Sequence, residues 1–523
     1  LKLFVLLFLC CTTRVFAQNH TVNFKNAIQF EKAKSDVVLL NNQNNKIPLL
    51  TLNKLKIASV HFNFKQADAF DQIARKYRNI ESFTADTIRN DQGFDALHDE
   101  LKLYNTIILE LSAATSFTTA LKRFITDLES NNLVIVVLTG NGKNLSQFDN
   151  LKSPIVWYPD DTKDGASVAA QTIFGGIAVS NFLNQNYSTN YKKGTGYLTQ
   201  KTRLGYSLPE AVALNSNTLN NIDSIVNKGI ATHSAPSVVV LLAKDGQVIF
   251  HKAYGKHTYD GSEPTKLDDI FDMASVTKVT ATVPMVMALY DKKQLSLDSP
   301  ISKYVAMTRN LADKNSIIIR EALLHEAGYT PYIKFYEGLK PSDMSTDSSA
   351  AYPTKVADHY YLRANYFKEV MWPVTLQSKV ETRGKYVYSD ISMYMMKEVV
   401  EEVTHQKLND YVLNELYLPD PATVDLFTSR QSKTSWRGLG YDKYNSSTKL
   451  PSAYASEQAF GHSGYTGTYV WVDPKYNMVY ICLTNRVYPD DGKTYGPAKV
   501  NIRADVLNLF YKAVLESISP QKK

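Results

Sequence analysis

Cysteine is nearly absent, with three in 523 residues, and Cys10 and Cys11 fall in an apolar stretch at the start, leaving Cys482 alone in the chain that follows. A disulfide framework is therefore excluded. Cys482 lies in the apolar run 479–483 and reads as a small buried hydrophobe. Low-complexity tracts and blocks of like charge are also missing, and the formal charge of +7 is spread along the chain without runs of Lys and Arg. That pattern argues against a nucleic-acid partner. The nucleophile-elbow pattern Gly-x-Ser-x-Gly occurs nowhere, which sets aside an α/β-hydrolase. His325-Glu326 lacks the second histidine of a zinc protease, and Gly140-Asn141-Gly142 lacks the third glycine of a dinucleotide site. No cofactor and no metal is expected.

What is present is globular material, 44% hydrophobic and 21% charged, in a length that predicts two or three domains. Lys2, the apolar stretch 3–11 and Val15-Phe16-Ala17 follow the charged, apolar and small-residue order of a secretory signal. Cleavage is expected after Ala17. The apolar stretch is too short for a transmembrane anchor, since spanning takes about 20 residues.

From about 35 to 183, short β-prone runs alternate with helical ones, the pattern of a doubly wound α/β domain. Strands are expected at 36–40, 56–61, 79–84, 105–111, 133–139 and 154–158, and helices at 67–76, 118–129 and 165–183. The stretch 184–205, rich in Asn, Ser, Thr, Tyr, Lys and Gly, reads as a linker. Beyond it a helix is expected near 214–228, then a hairpin turning at Lys244-Asp245-Gly246.

Two segments resemble known families. Ser35-Asp36-Val37-Val38-Leu39-Leu40-Asn41-Asn42, Lys46-Ile47-Pro48-Leu49 and the helix ending Ile173-Phe174-Gly175-Gly176 resemble the C-terminal α/β sandwich of family 3 glycoside hydrolases. That family keeps its nucleophile in a preceding barrel that does not fit before residue 35, so glycosidase activity is not implied.

The second resemblance rests on three motifs in order. Ser-x-x-Lys occurs at Ser275/Lys278, Ser446/Lys449 and Ser519/Lys522, but only Ala274-Ser275-Val276-Thr277-Lys278 opens an apolar helix. Positions three apart share a helix face, so Lys278 can reach the Ser275 hydroxyl. Pro284 should kink that helix. Tyr388-Ser389-Asp390 follows about a hundred residues on, and Gly461-His462-Ser463-Gly464-Tyr465-Thr466-Gly467 leads into a strand near the C-terminus. Any one of these is weak, and a helix cap, a structural tyrosine or a hairpin turn would account for it alone. Together they resemble the serine β-lactamase and penicillin-binding-protein superfamily in its class C and esterase-like branch. The flanks Leu295-Ser296-Leu297-Asp298, Leu323-Leu324-His325 and Leu483-Thr484-Asn485-Arg486 agree with it.

The resemblance implies an α+β domain, an antiparallel sheet plus a helical subdomain, behind the N-terminal doubly wound α/β sandwich. The expected organisation is a signal at 1–17, the sandwich at 18–185, a linker at 186–208 and the hydrolase domain at 209–523. It also implies Ser275 as acylated nucleophile, with Lys278 and Tyr388 sharing its proton. His462, Gly464 and Asp390 would bind substrate, and the N–H groups of Ser275 and Tyr465 would form the oxyanion hole. Class C enzymes carry Tyr-x-Asn and Lys-Thr-Gly, whereas Asp390 and His462 stand here. An ionised carboxylate cannot donate to a substrate carbonyl, and a neutral imidazole attracts a carboxylate less than an ammonium does. Hydrolysis of an ester, peptide or amide is expected, by an exported enzyme of the periplasm or extracellular space acting on a small acyl or peptide substrate, cell-wall material being one source. The alternative is a cell-wall glycan-binding or glycosidase-derived protein with an inactive hydrolase domain.

Overall fold

A computed structural model describes residues 23–518 apart from 113, 114, 416 and 418. The expected leader, Cys10, Cys11 and the Ser519/Lys522 pair lie outside the described residues. The described residues form two compact units, one within residues 23–269, 476–482 and 488–518, the other within residues 270–475 and 483–487. Among the described residues no helix is long and apolar enough to cross a membrane.

The first unit is built on strands β1 (Val38–Leu40), β2 (Ile57–Phe62), β3 (Ile80–Thr84), β4 (Thr106–Leu111), β5 (Leu133–Thr139) and β6 (Ile155–Tyr158). Their order is β1-β6-β5-β4-β2-β3, all parallel except β1, which runs antiparallel to β6. β2 and β4 are buried at every residue, as parallel strands covered on both faces must be. Helices α1 (23–36), α2 (Ala67–Ala74) and α5 (Lys163–Phe174) pack on one face through Phe30, Phe70 and Ile173. Helices α3 (Asp91–Leu101) and α4 (Thr119–Glu129) cover the other through Phe94, Leu97, Phe124 and Leu128. α5 is shorter than its apolar pattern suggests, because Gly175 takes a left-handed conformation (φ 80°) that caps and ends it.

The stretch expected as a linker packs against this layer. Arg203 donates to the carbonyls of Leu49, Leu50 and Phe174, and the buried Gln171 side chain bonds the Tyr206 backbone through both its N–H and its carbonyl. The same unit holds the hairpin of Ser237–Lys244 and Gln247–Gly255, whose turn residues Asp245 (φ 51°) and Gly246 (φ 70°) both adopt the positive φ of a two-residue turn. Cys482 is fully buried, and burial pushes its thiol up to about 11.

The α2 face of β2 and β4 carries buried polar groups. His61 sits directly across the ladder from Glu110, with Nδ1 3.1 Å from Glu110 Oε2 and Nε2 3.5 Å from Asp71 Oδ2 on α2. Burial lowers the affinity of this imidazole for a proton. Hydrogen bonds and charge from Asp71 and Glu110 override that and raise its pKa to about 10, while complete burial pushes the Glu110 carboxyl up to about 7, so the imidazole holds its proton between the two acidic side chains. Arg75, 3.1 Å from Asp71, supplies the second positive charge.

In the second unit an apolar core of Val286, Leu289, Leu323, Met395, Met396, Val399 and Phe427 joins the helices Val283–Asp291, Ile319–Leu323, Asp390–Thr404 and Pro421–Thr428. Asp442–Lys443, Phe460–Ser463 and Tyr469–Asp473 form an antiparallel ladder. Two helices begin as wide π-turns, Lys278–Thr282 ahead of Pro284 and Phe367–Met371 ahead of Pro373. A proline cannot donate to the carbonyl four residues back, and the widened turn absorbs the misfit that a sharp kink would otherwise take.

His61→Ala should cost about 3–5 kcal/mol of stability, because it removes the buried ring that bonds both Asp71 and Glu110. Denaturant unfolding of the full chain measures it, and a loss below about 1 kcal/mol would show that the triad carries no net charge stabilisation.

Candidate active site

Ser275 sits in the turn just before a helix and lines a cavity of about 830 Å³. Ala274, just before it, is held at φ 45°, a conformation that costs a residue with a Cβ, and its N–H donates to Asp272 Oδ1 at 2.8 Å. The glycine-rich turn fixes this loop from the side. Thr466 Oγ1 donates to the Asp272 carbonyl at 2.6 Å, and Thr468 Oγ1 donates to the Met273 carbonyl at 2.8 Å. A Cβ on Gly464 would collide with Thr468 Oγ1 and the Met273 carbonyl, so glycine is what lets the turn approach the segment bearing Ser275.

Lys278 lies one turn beyond Ser275, only 8% exposed. Its ammonium donates to Ser275 Oγ at 2.9 Å and to Asp390 Oδ1 at 2.7 Å. Tyr388 donates its hydroxyl proton to Ser275 Oγ at 2.8 Å. One serine oxygen therefore accepts from both an ammonium and a phenol.

The Tyr388-Ser389-Asp390 segment is irregular rather than a strand, and backbone bonds hold it to the loop after Leu323. Val387 N–H donates to the His325 carbonyl at 3.0 Å and Asp390 N–H to the Pro331 carbonyl at 2.9 Å. Ser389 N–H donates to His325 Nδ1 at 3.2 Å, which places the His325 proton on Nε2. The His325 ring lies 4.5 Å from the Tyr388 ring, centre to centre. Complete burial drives the His325 pKa well below its usual value, with the Arg437 charge adding to the effect.

His462 is buried on the Phe460–Ser463 strand, 5.9 Å from the Tyr388 ring, and donates from Nδ1 to the Ser463 carbonyl at 2.8 Å. Burial lowers its pKa to about 4, so it is neutral near pH 7. Arg437 completes this backing. It is fully buried, ion-paired with Asp442, bonded to the Gly440 carbonyl at 2.8 Å, and its guanidinium carbon is 5.9 Å from the Tyr388 ring centre.

The structure thus brings Ser275, Lys278, Tyr388 and Asp390 together in one cavity, with exposed Tyr465 at its edge. His462 stands behind Tyr388 and is not among the residues lining that cavity, and Gly464 serves the approach to Met273. The Ser446/Lys449 pair lies in a polar turn with Lys449 at φ 53°. His325 and Arg437 were not singled out as functional residues in the sequence. Nothing local marks Arg437, whereas His325 closes the flank Leu323-Leu324-His325 and takes a left-handed φ of 56°.

Among the described residues, His61, Asp71 and Glu110 form a cluster of ligand-type atoms within 4.8 Å of one another. The two ring nitrogens of His61 face different carboxylates, however, which suits a hydrogen-bonded triad better than a single ion.

Residues 222–425 and 417–502 match the family model described as Beta-lactamase. An N-acetylmuramyl-L-alanine amidase of Bacillus subtilis (strain 168) is 22% identical over 53% of this chain and 83% of its own length. A protein of Escherichia coli (strain K12), provisionally named a D-alanyl-D-alanine carboxypeptidase, is 22% identical over 54% of this chain and 85% of its own. A solved penicillin-binding-protein homologue from Caulobacter crescentus aligns with a TM-score of 0.41 and 14% identity, over 57% of this chain and 98% of its own.

Because His462 folds neutral, its pKa lies below the unfolded value of about 6.5. Its contribution to stability is complete above about pH 6.5 and is lost as pH falls through about 4. Thermal melts from pH 7 to 4 should show a steeper acid loss for the wild type than for His462→Gln. Identical acid limbs would mean that this imidazole titrates as if exposed.

Proposed function

Because the chain belongs to the Beta-lactamase family, we propose that it is an acyl-enzyme serine hydrolase in which Ser275 is the nucleophile and Tyr388 and Lys278 manage its proton. The observation that carries this is the convergence of Lys278 Nζ and Tyr388 OH on Ser275 Oγ, at 2.9 and 2.8 Å. Ser275 Oγ attacks the substrate carbonyl and gives its proton to the Tyr388 oxygen as the phenol's own proton passes to the departing alcohol or amine, which leaves Tyr388 neutral. Water then takes the reverse path to release the acid and restore Ser275.

Lys278, ion-paired with Asp390, is the positioned cation and Tyr388 the group that shuttles the proton. The Lys278 ammonium, 5.2 Å from the Tyr388 ring centre, stabilises negative charge that develops on the tyrosine during transfer. The N–H groups of Ser275 and Tyr465 are assigned to the oxyanion, and Gly464 to letting the turn close on the substrate.

The substrate class is an ester, peptide or amide. The amidase and carboxypeptidase names of the relatives favour a small peptide or acyl compound, with cell-wall material as one source. Export to the periplasm or extracellular space is supported by the order of residues 1–17. The likeness of residues 18–185 to the C-terminal sandwich of family 3 glycoside hydrolases, with a hydrolase domain from 209, is part of the same reading.

Ser275→Ala should abolish labelling by a fluorophosphonate or a fluorescent penicillin, and unchanged labelling would refute the assignment. Tyr388→Phe should lower kcat/KM by about 10²–10⁴-fold on any ester the wild type turns over. A loss under threefold would remove Tyr388 from the proton path.

A further inference from the structure

The cavity does not stop at the nucleophile. Asp390, Met393, Tyr394 and Lys397 all line it, and their spacing of i, i+3, i+4 and i+7 places them on one stripe of the helix Asp390–Thr404. At 1.5 Å per residue that stripe runs about 10 Å from Asp390, beside Lys278, to Lys397. Met393 and Tyr394 lie between its ends, and Leu408, Thr282, Tyr332 and Tyr336 also line the cavity. The arm is apolar and aromatic, and long enough for a ring or a medium alkyl chain.

The charges along it are already matched. Lys278 is held by Asp390 at 2.7 Å, and Lys397 by Glu398 at 2.6 Å and Glu401 at 2.7 Å, with its ammonium 4.2 Å over the Phe367 ring. His462, the group standing where the related motif has a lysine, is neutral and lies behind Tyr388. Arg486 is outside the lining, its guanidinium carbon 5.3 Å from the Tyr465 ring centre. A carboxylate entering the cavity would shed water and meet cations that already have partners, whereas an apolar group would gain from leaving water.

Resting on the acyl-enzyme reading above, we propose that the site takes an ester or amide that places an apolar chain or aromatic ring in this arm and whose leaving group carries no carboxylate. Met393 and Tyr394 set the length of that group. For an ester, the bond from Ser275 Oγ to the carbonyl carbon forms as the carbonyl-to-alkoxy bond breaks. The alcohol leaves with the serine proton, and water hydrolyses the acyl-enzyme.

The test uses the full chain and two ester series, p-nitrophenyl esters from acetate to octanoate and acetate esters of alcohols of rising length. Alongside them run N-acetyl-D-alanyl-D-alanine and its C-terminal amide. In one series kcat/KM should rise at least tenfold with length, and the series that responds identifies which side of the scissile bond occupies the arm. Met393→Phe should move the optimum to shorter chains and Tyr394→Ala to longer ones, opposite shifts that general misfolding would not produce. The amide should be cleaved at least tenfold faster than the free acid.

A flat response in both series overturns the inference, as does preference for the free acid, above all one lost in Arg486→Ala. Turnover of the free acid that disappears in Ser275→Ala would leave the hydrolase reading intact and sink this one alone. Absence of any Ser275-dependent turnover or labelling would sink both.

Discussion

A single buried ammonium organises the second unit. Lys278 is withdrawn almost completely from water, a placement that is costly unless every N–H finds an oxygen, and it is held between Ser275 Oγ and the Asp390 carboxylate. Those two oxygens come from different helices, so the N-termini of both must meet at this point. The wide π-turn over Lys278–Thr282 and the start of the helix Asp390–Thr404 are both arranged around that meeting. So is the strained Ala274 that turns the chain into the serine.

The second constraint is rigidity behind Tyr388. The phenol bonded to Ser275 Oγ has a dry rear face. His325 and His462 supply two neutral imidazoles, and Arg437 a fixed charge paired with Asp442. None of these three lines the cavity, and each packs against Tyr388. The histidine of the glycine-rich motif thus takes a supporting place behind the tyrosine, while the glycines of that motif permit close approach to Met273.

Much of the α/β layer could be read from pattern. β5 coincides with its apolar run, because a strand buried on both faces is apolar throughout and carries its signal in every residue. The ends were less legible. β1 begins only at Val38, because helix 23–36 runs up to it, and α3, capped by the Asn90 side chain, was missed in a stretch interrupted by Gly93 and rich in acidic residues. The buried triad of His61, Asp71 and Glu110 had no sequence signature, since its members join two strands and a helix through a register that only folding sets.

The order Ser-x-x-Lys, Tyr-x-Asp and His-x-Gly is what the sequence determined. Ser275 and Lys278 are bound to each other by helical spacing alone, a local property. Tertiary structure decided the rest. Tyr388 and Asp390 reach that pair across more than a hundred residues, His462 is buried beside exposed Ser463, and Arg437 arrives from a segment without any motif. Local spacing can fix which groups share a helix face. Which of them meet in one cavity, and whether an imidazole there is charged or neutral, depends on burial and on neighbours that only the folded chain supplies.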